Sequence, residues 1–382
     1  MIAYAKQLSA SRMVCVALTL ISALPLAHAA PAADQQTTNA QGDQANPELT
    51  LTLSLEISTE THNEVALVGR LVQTNFLIVG DQIELSQRFS NLRKEFVTKY
   101  ARPTTLLGFS VVSHEARLAD LQQFITSEKK LRTSQASYRN LFGRQTPLGL
   151  VGAGWAAEAS RLDTDSGLAP YLVDYVAREG RTSYIVPLLA YWAYDRRNAD
   201  ATLPSGHYDF AAAEWGGLLG RTKYAKLDLA HESFWAISPR ISAGFSVSLG
   251  YLRGLDGHLS PISKRYIGGG AGSVRGYEYG ALSPSDITGA SMGADRKASG
   301  NAEVLWHGFD IGSTPIVLSA YVDRGRFYGA EKSLVDSVVA GSVGVGISVP
   351  VPIGLARFSF SRATDETLRT QRFQFDARAN WK

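Results

Sequence analysis

Cysteine is nearly absent. The one copy in 382 residues is Cys15, inside an apolar stretch near the N-terminus and without a lipoprotein-type context. With that stretch removed, disulfides and thiol chemistry are excluded. A surplus of one charge sign is missing too. Lys and Arg total 38 against 35 Asp and Glu, a net charge of +3, too balanced to suggest nucleic acid as a partner. Beyond the N-terminal stretch there is no run of the ~18 uninterrupted apolar residues that a membrane helix needs. His62, His114, His207, His231, His258 and His307 are scattered, and no nucleophile–base–acid set accompanies them. The reading therefore expects no catalytic residue, no metal site and no cofactor.

The N-terminus predicts a compartment. Lys6 and Arg12 precede an apolar run, and Ala27-His28-Ala29 follows it. That order of basic, apolar and small-residue segments is a secretory signal peptide over residues 1–29. Residues 30–47 are polar and read as a disordered lead-in. Residues 48–382 remain for the folded domain.

Those residues alternate with a period of two. Leu49, Leu51, Leu53, Leu55 and Ile57 alternate with Thr, Ser and Glu. Val343, Val345, Ile347 and Val349 alternate with Ser and Gly, and Phe373 and Phe375 alternate with Arg, Gln and Asp. Each such segment is a strand with one apolar and one polar face. A soluble sandwich alternates as well. Many strands of about ten residues, in an exported chain without cysteine, favour a barrel that crosses a membrane at a tilt. In lipid, a sheet must close on itself to pair its backbone.

The pattern predicts an all-β fold: a transmembrane antiparallel β-barrel of sixteen strands. The strands are expected at 49–58, 64–74, 81–90, 93–102, 104–116, 129–142, 148–162, 183–196, 207–220, 225–238, 241–253, 301–308, 315–325, 341–349, 355–362 and 371–381. Residues 170–179 are assigned to a long outer loop.

The connection between strands eleven and twelve is far longer than a hairpin needs. It holds GGGAGSVRGYEYG, residues 268–280, with Arg275 among glycines. A phosphate-cradling GxGxxG fails, because Ser273 or Arg275 stands where the third glycine belongs. A GxSxG nucleophile elbow around Ser273 fails too, with Ala271 and Arg275 at its glycine positions. On strand thirteen, parity turns Asp323 toward the lumen; on strand twelve it turns Glu303 the same way. A guanidinium desolvated inside a barrel needs such carboxylates.

Val274-Arg275-Gly276-Tyr277, preceded by Gly269-Gly270 and Ser273, resembles the sixth-loop signature of the outer-membrane assembly superfamily, the BamA/TamA/FhaC-type barrels of the bacterial surface antigen family. Residues 321–328, YVDRGRFY, resemble that family's second motif, and residues 194–210 resemble, more loosely, one of its hairpins. The resemblance implies a loop folded into the lumen, Arg275 paired with Asp323 and Glu303, and Tyr277 and Tyr279 packed on lumenal residues. It also implies a weak seam between first and last strands, represented by Leu51, Leu53 and Leu55 on one side and Phe373, Phe375 and Trp381 on the other.

The implied place is the bacterial outer membrane, with outer-membrane lipid around the barrel. The implied role is insertion of outer-membrane proteins or protein translocation, on client outer-membrane or secreted proteins. The alternative is a plugged, porin-like solute channel. Family members usually carry POTRA domains before the barrel. Residues 30–47 are too few for one, so the partner is expected to be a separate POTRA-bearing or chaperone protein, or another barrel subunit.

Overall fold

A computed structural model describes residues 48–381 except 59–63, 127–129, 164–168, 199–203, 271, 312–313, 330–333, 335–336 and 352–353. The expected signal peptide and lead-in, residues 1–47, lie outside the described residues.

The period-two segments form sixteen strands: β1 (Glu48–Ser58), β2 (Glu64–Thr74), β3 (Gln82–Ser90), β4 (Arg93–Pro103), β5 (Val111–Phe124), β6 (Lys130–Thr146), β7 (Gly149–Asp163), β8 (Thr182–Asp195), β9 (Gly206–Gly220), β10 (Tyr224–Ser238), β11 (Ile241–Gly254), β12 (Arg296–Ile311), β13 (Thr314–Tyr328), β14 (Ser337–Val351), β15 (Gly354–Ala363) and β16 (Phe373–Trp381). Each pairs antiparallel with its sequence neighbours, and β1 pairs with β16, closing the barrel. The apolar face of the alternation points outward. Phe245, Leu249, Val304, Val322, Val343 and Val345 are all exposed on the wall, where lipid supplies the apolar surroundings that water cannot.

The core lies inside the barrel and over one end of it. Within the lumen, Val274, Tyr277 and Leu282 of the β11–β12 loop pack with Tyr224, Leu252 and Phe327 of the wall. Over the end, Tyr171, Leu172 and Tyr175 pack with Leu259, Met292 and Leu334. That second cluster is built on a helix, α1 (Pro170–Glu179), inside the segment expected to be plain loop. Pro170 opens it at a position where the missing amide N–H costs nothing, and Gly180 follows it at φ 84°.

Two other expectations need correction. The fifth strand was expected at 104–116 and runs instead over Val111–Phe124. Residues 104–110 turn because Leu107 and Gly108 are both left-handed, with φ 52° and 77°. The twelfth strand starts at Arg296 rather than residue 301.

Among the described residues, the seam between β1 and β16 covers six residue pairs. Residues 53–58 pair with residues 376–381, from Leu53 opposite Trp381 to Ser58 opposite Asp376. Leu55 lies opposite Ala379. Leu51 pairs with Leu71 of β2 and with nothing on β16 among the described residues. On the β15 side, Phe373 and Phe375 stand opposite Phe360 and Phe358. Trp381 stands opposite Leu53, and among the described residues, 48–52 are paired on the β2 side only.

Candidate functional site: the lumenal loop

The site is built on the β11–β12 loop, which enters the barrel and ends at two walls. At the first wall sits Arg275. Its Nε donates to Asp323 Oδ2 at 2.8 Å, its Nη2 to Oδ1 at 2.7 Å, and its backbone N–H to Oδ2 at 2.9 Å. This is the bidentate fork that a guanidinium makes and an ammonium cannot. Asn301 on β12 also donates to Asp323 Oδ1, at 2.6 Å. The Arg275 guanidinium lies 3.3 Å from the centre of the Tyr321 ring, so its flat face is covered by a cation–π contact. Glu303 is a more distant partner, accepting from Nη1 at 3.4 Å. Arg275 is 7% exposed and Asp323 2%, so neither charge has water to fall back on.

The rest of the motif fastens the loop to the last strands. Gly276 has φ +88°, and a Cβ there would stand 2.9 Å from Ser361 Cβ. Only glycine fits both that backbone and that gap. Its carbonyl accepts from the Gln371 N–H at 2.9 Å. The Tyr277 hydroxyl donates to the Gly341 carbonyl at 3.0 Å and accepts from the Asp365 N–H at 3.1 Å. Its carbonyl accepts from Gln374 Nε2 at 3.2 Å. Glu278 N–H donates to the Arg369 carbonyl at 3.1 Å, and their side chains pair at 3.4 Å. Residues 276–278 thus run beside the β15–β16 connection and touch β16 itself through Gln374. Tyr279 is partly buried.

At the second wall the loop uses residues that the sequence reading did not single out. Lys264 Nζ donates to Glu158 on β7 at 2.9 Å and to Glu214 on β9 at 2.8 Å. Tyr224 also donates to Glu214, at 2.6 Å. Arg265, with no exposed side-chain surface, donates from Nε to Ser260 Oγ at 3.0 Å and from Nη1 to the Met292 carbonyl at 3.2 Å. Its Nη2 donates to the Tyr171 hydroxyl on α1. Burial pushes the neighbouring Tyr175 phenol up to about 12, and it accepts from the Ile262 N–H. The loop carries three seated cations, not the single fixed charge expected. The adjacent Lys264 and Arg265 were the available signal, immediately before the glycine run.

Beneath the loop remains a cavity of about 310 Å³, bordered by Glu95, Lys99, Glu115, Arg117, Glu158 and Lys264. Its lining is a ladder of alternating charge. Among the described residues, no group of three or more His, Cys, Asp or Glu is placed to hold a metal ion.

Known proteins share this arrangement to different degrees. The outer membrane protein assembly factor BamA of Neisseria meningitidis serogroup B is 26% identical over 318 residues, covering 70% of this chain and 38% of its own length. The chain thus spans about two fifths of that relative. The crystal structure of BamA from Haemophilus ducreyi lacking POTRA domains 1–3 superposes with a TM-score of 0.77 at 15% identity, covering 87% of this chain and 70% of that one. CdiB from Escherichia coli superposes with a TM-score of 0.60 at 13% identity, covering 87% and 63%. These superpositions carry the fold. The family model for the Omp85 superfamily domain matches residues 75–378. Sixteen closed strands and a match over most of the chain agree: this chain belongs to the Omp85 superfamily and is a β-barrel of the bacterial outer membrane.

Proposed function

We propose that the chain takes part in inserting outer-membrane proteins, or in moving proteins across the outer membrane, together with a separate partner. The partner is a periplasmic POTRA-bearing or chaperone protein, or another barrel subunit. One observation carries this reading. The loop seated by Arg275 is bonded to the hairpin that bears β16, and among the described residues the β1–β16 pairing is the shortest, with six residue pairs. An open strand edge is a template for a client strand, which adds by backbone hydrogen bonds and needs no particular sequence. Residues 48–52, paired on the β2 side only among the described residues, offer such an edge beside a seam described over residues 53–58.

In this mechanism the loop sets the shape of the wall next to the seam. Arg275 ties it to β13. Gln371 and Gln374 tie its other side to the final hairpin. A client strand pairs with the free part of β1, and the seam parts residue by residue as the client replaces β16. The chemistry is exchange of hydrogen bonds, with no covalent step. The name of the Neisseria relative, an assembly factor, supports the same reading.

The test uses the barrel in lipid vesicles and a denatured outer-membrane barrel as client. A photo-crosslinking residue at position 51 is expected to capture the client during its folding, and the barrel is expected to speed that folding several-fold. No capture and no acceleration, with large and stable single-channel openings, would instead show a solute channel with a loop as its plug.

A further inference from the structure

The end of the barrel opposite the β11–β12 loop carries two neighbouring turns that expose apolar side chains. The β2–β3 turn, residues 75–81, presents Leu77 at 69% exposure, Ile78 at 46% and Val79 at 72%. The β4–β5 turn, residues 104–110, presents Leu106 at 55% and Leu107 at 87%. Neither turn contains a lysine or arginine, and the only charge is Asp81. Elsewhere on this rim the short β6–β7 turn, Pro147-Leu148, is also uncharged, with Leu148 75% exposed, whereas Arg196 and Arg197 follow β8 and Arg240 lies between β10 and β11.

Four observations set these turns apart from ordinary loops. First, most of their backbone N–H groups, though not those of Val79, Thr105 and Leu107, are bonded from within. Asp81, 2% exposed, accepts the N–H of Phe76 at 2.6 Å, Leu77 at 3.0 Å and Ile78 at 3.1 Å. Asn75 accepts the Gly80 N–H at 2.7 Å, and the Asn75 N–H reaches the Asp81 carbonyl at 2.8 Å. In the second turn, the N–H groups of Thr104, Leu106, Gly108, Phe109 and Ser110 all have protein acceptors. A water-facing turn has no need of this, whereas a segment entering lipid does.

Second, the first turn is tied to the lipid side of the wall. Tyr100 donates to Asp81 at 2.8 Å. Its neighbour Lys99 lines the lumenal cavity, so Tyr100 faces outward by strand alternation. Third, Leu107 is held at φ 52°, a conformation that costs a leucine energy while projecting it fully outward. Fourth, β2, β3 and β4 have only 11, 9 and 11 residues. At a tilt of ~40° they rise roughly 23–28 Å, about the height of the apolar band. The tips of their turns therefore lie at the boundary between hydrocarbon and headgroups, not beyond it. Arg102, exposed and on the same face as Tyr100, stands where a phosphate headgroup would meet it.

We propose that these two turns are a membrane anchor, with Leu77, Ile78, Val79, Leu106 and Leu107 buried in the lipid leaflet opposite the long loop. The anchor holds one side of the barrel at a fixed depth, on the wall that follows β1. It rests on the barrel fold alone and stands whether or not the barrel assembles clients.

Nitroxide labels test it, since the only native cysteine can be removed as Cys15→Ser. Val79→Cys, Ile78→Cys and Leu107→Cys are labelled one at a time in the full barrel, in vesicles of phosphatidylethanolamine and phosphatidylglycerol. Collisions with oxygen, which concentrates in lipid, are compared with collisions with a water-soluble nickel chelate. Oxygen is expected to dominate at all three sites, and nickel at Arg240→Cys on the same rim. Nickel dominance at 78, 79 and 107 would overturn the proposal. So would exclusion of both reagents, which would mean that protein, not lipid, covers the turns. All three side chains are exposed, and heat-dependent gel mobility confirms that each variant is folded.

Discussion

Arg275 and Asp323 are each almost fully buried and are bonded to one another three times over. Removing one leaves the other buried and charged with only a secondary partner, Asn301 for Asp323 or Glu303 for Arg275, which costs about 3–5 kcal/mol. Arg275→Ala and Asp323→Ala are each expected to lose that much in urea unfolding from vesicles. The double variant should lose clearly less than the sum, because neither charge is then orphaned. Arg275→Lys should recover only part of the loss, since lysine cannot donate twice in one plane or lie flat on Tyr321. Gly276 gives a second test. Gly276→Ala meets both the positive φ and Ser361, a cost of about 1–3 kcal/mol. Adding Ser361→Gly should relieve the clash but not the backbone strain, so recovery should be incomplete.

At the scale of elements, the loop is a strut between opposite walls. Lys264 holds Glu158 and Glu214 together at one end; Arg275 holds Asp323 at the other. Lys264→Met would leave two carboxylates facing each other across a gap. They are expected to push that end of the loop away and widen the lumen, seen as a several-fold rise in single-channel conductance with the Arg275 end still seated. Unchanged conductance would mean that the strut stands on Arg275 alone.

The strands and the lumenal orientation of Asp323 were legible in the sequence because both follow from alternation, which is local; its pairing with Arg275, 48 residues away, was legible only through the resemblance of the loop motif. Lys264 and Arg265 were not legible as anchors. Their partners Glu158, Glu214 and Tyr171 lie 106, 50 and 94 residues away, and no local pattern marks such pairs. Helix α1 was missed for a related reason. Its apolar residues Tyr171, Leu172 and Tyr175 fit a helix, but ten residues seldom make a stable helix alone. What holds it is packing on the loop, through Asp286 at its start and through Glu179, which accepts from Leu259 and His258 at its end. The seam residues were half legible. Alternation showed that β1 and β16 are strands, whereas their register, Leu53 opposite Trp381, depends on how the barrel closes.

The whole molecule is a closed barrel, filled by its own loop, with one short pairing in its wall. The proposed function requires that this pairing part while the rest stays closed. Cysteines at Leu55 and Ala379, which stand opposite one another across the seam, allow the pairing to be locked and released. Leu55→Cys with Ala379→Cys in a Cys15→Ser background is refolded in vesicles, and its effect on folding of a denatured outer-membrane client is compared when oxidised and when reduced. The account predicts that oxidation abolishes the acceleration, that reduction restores it, and that the barrel stays folded throughout. Equal acceleration in both states would contradict it, because client assembly would then proceed without opening the seam.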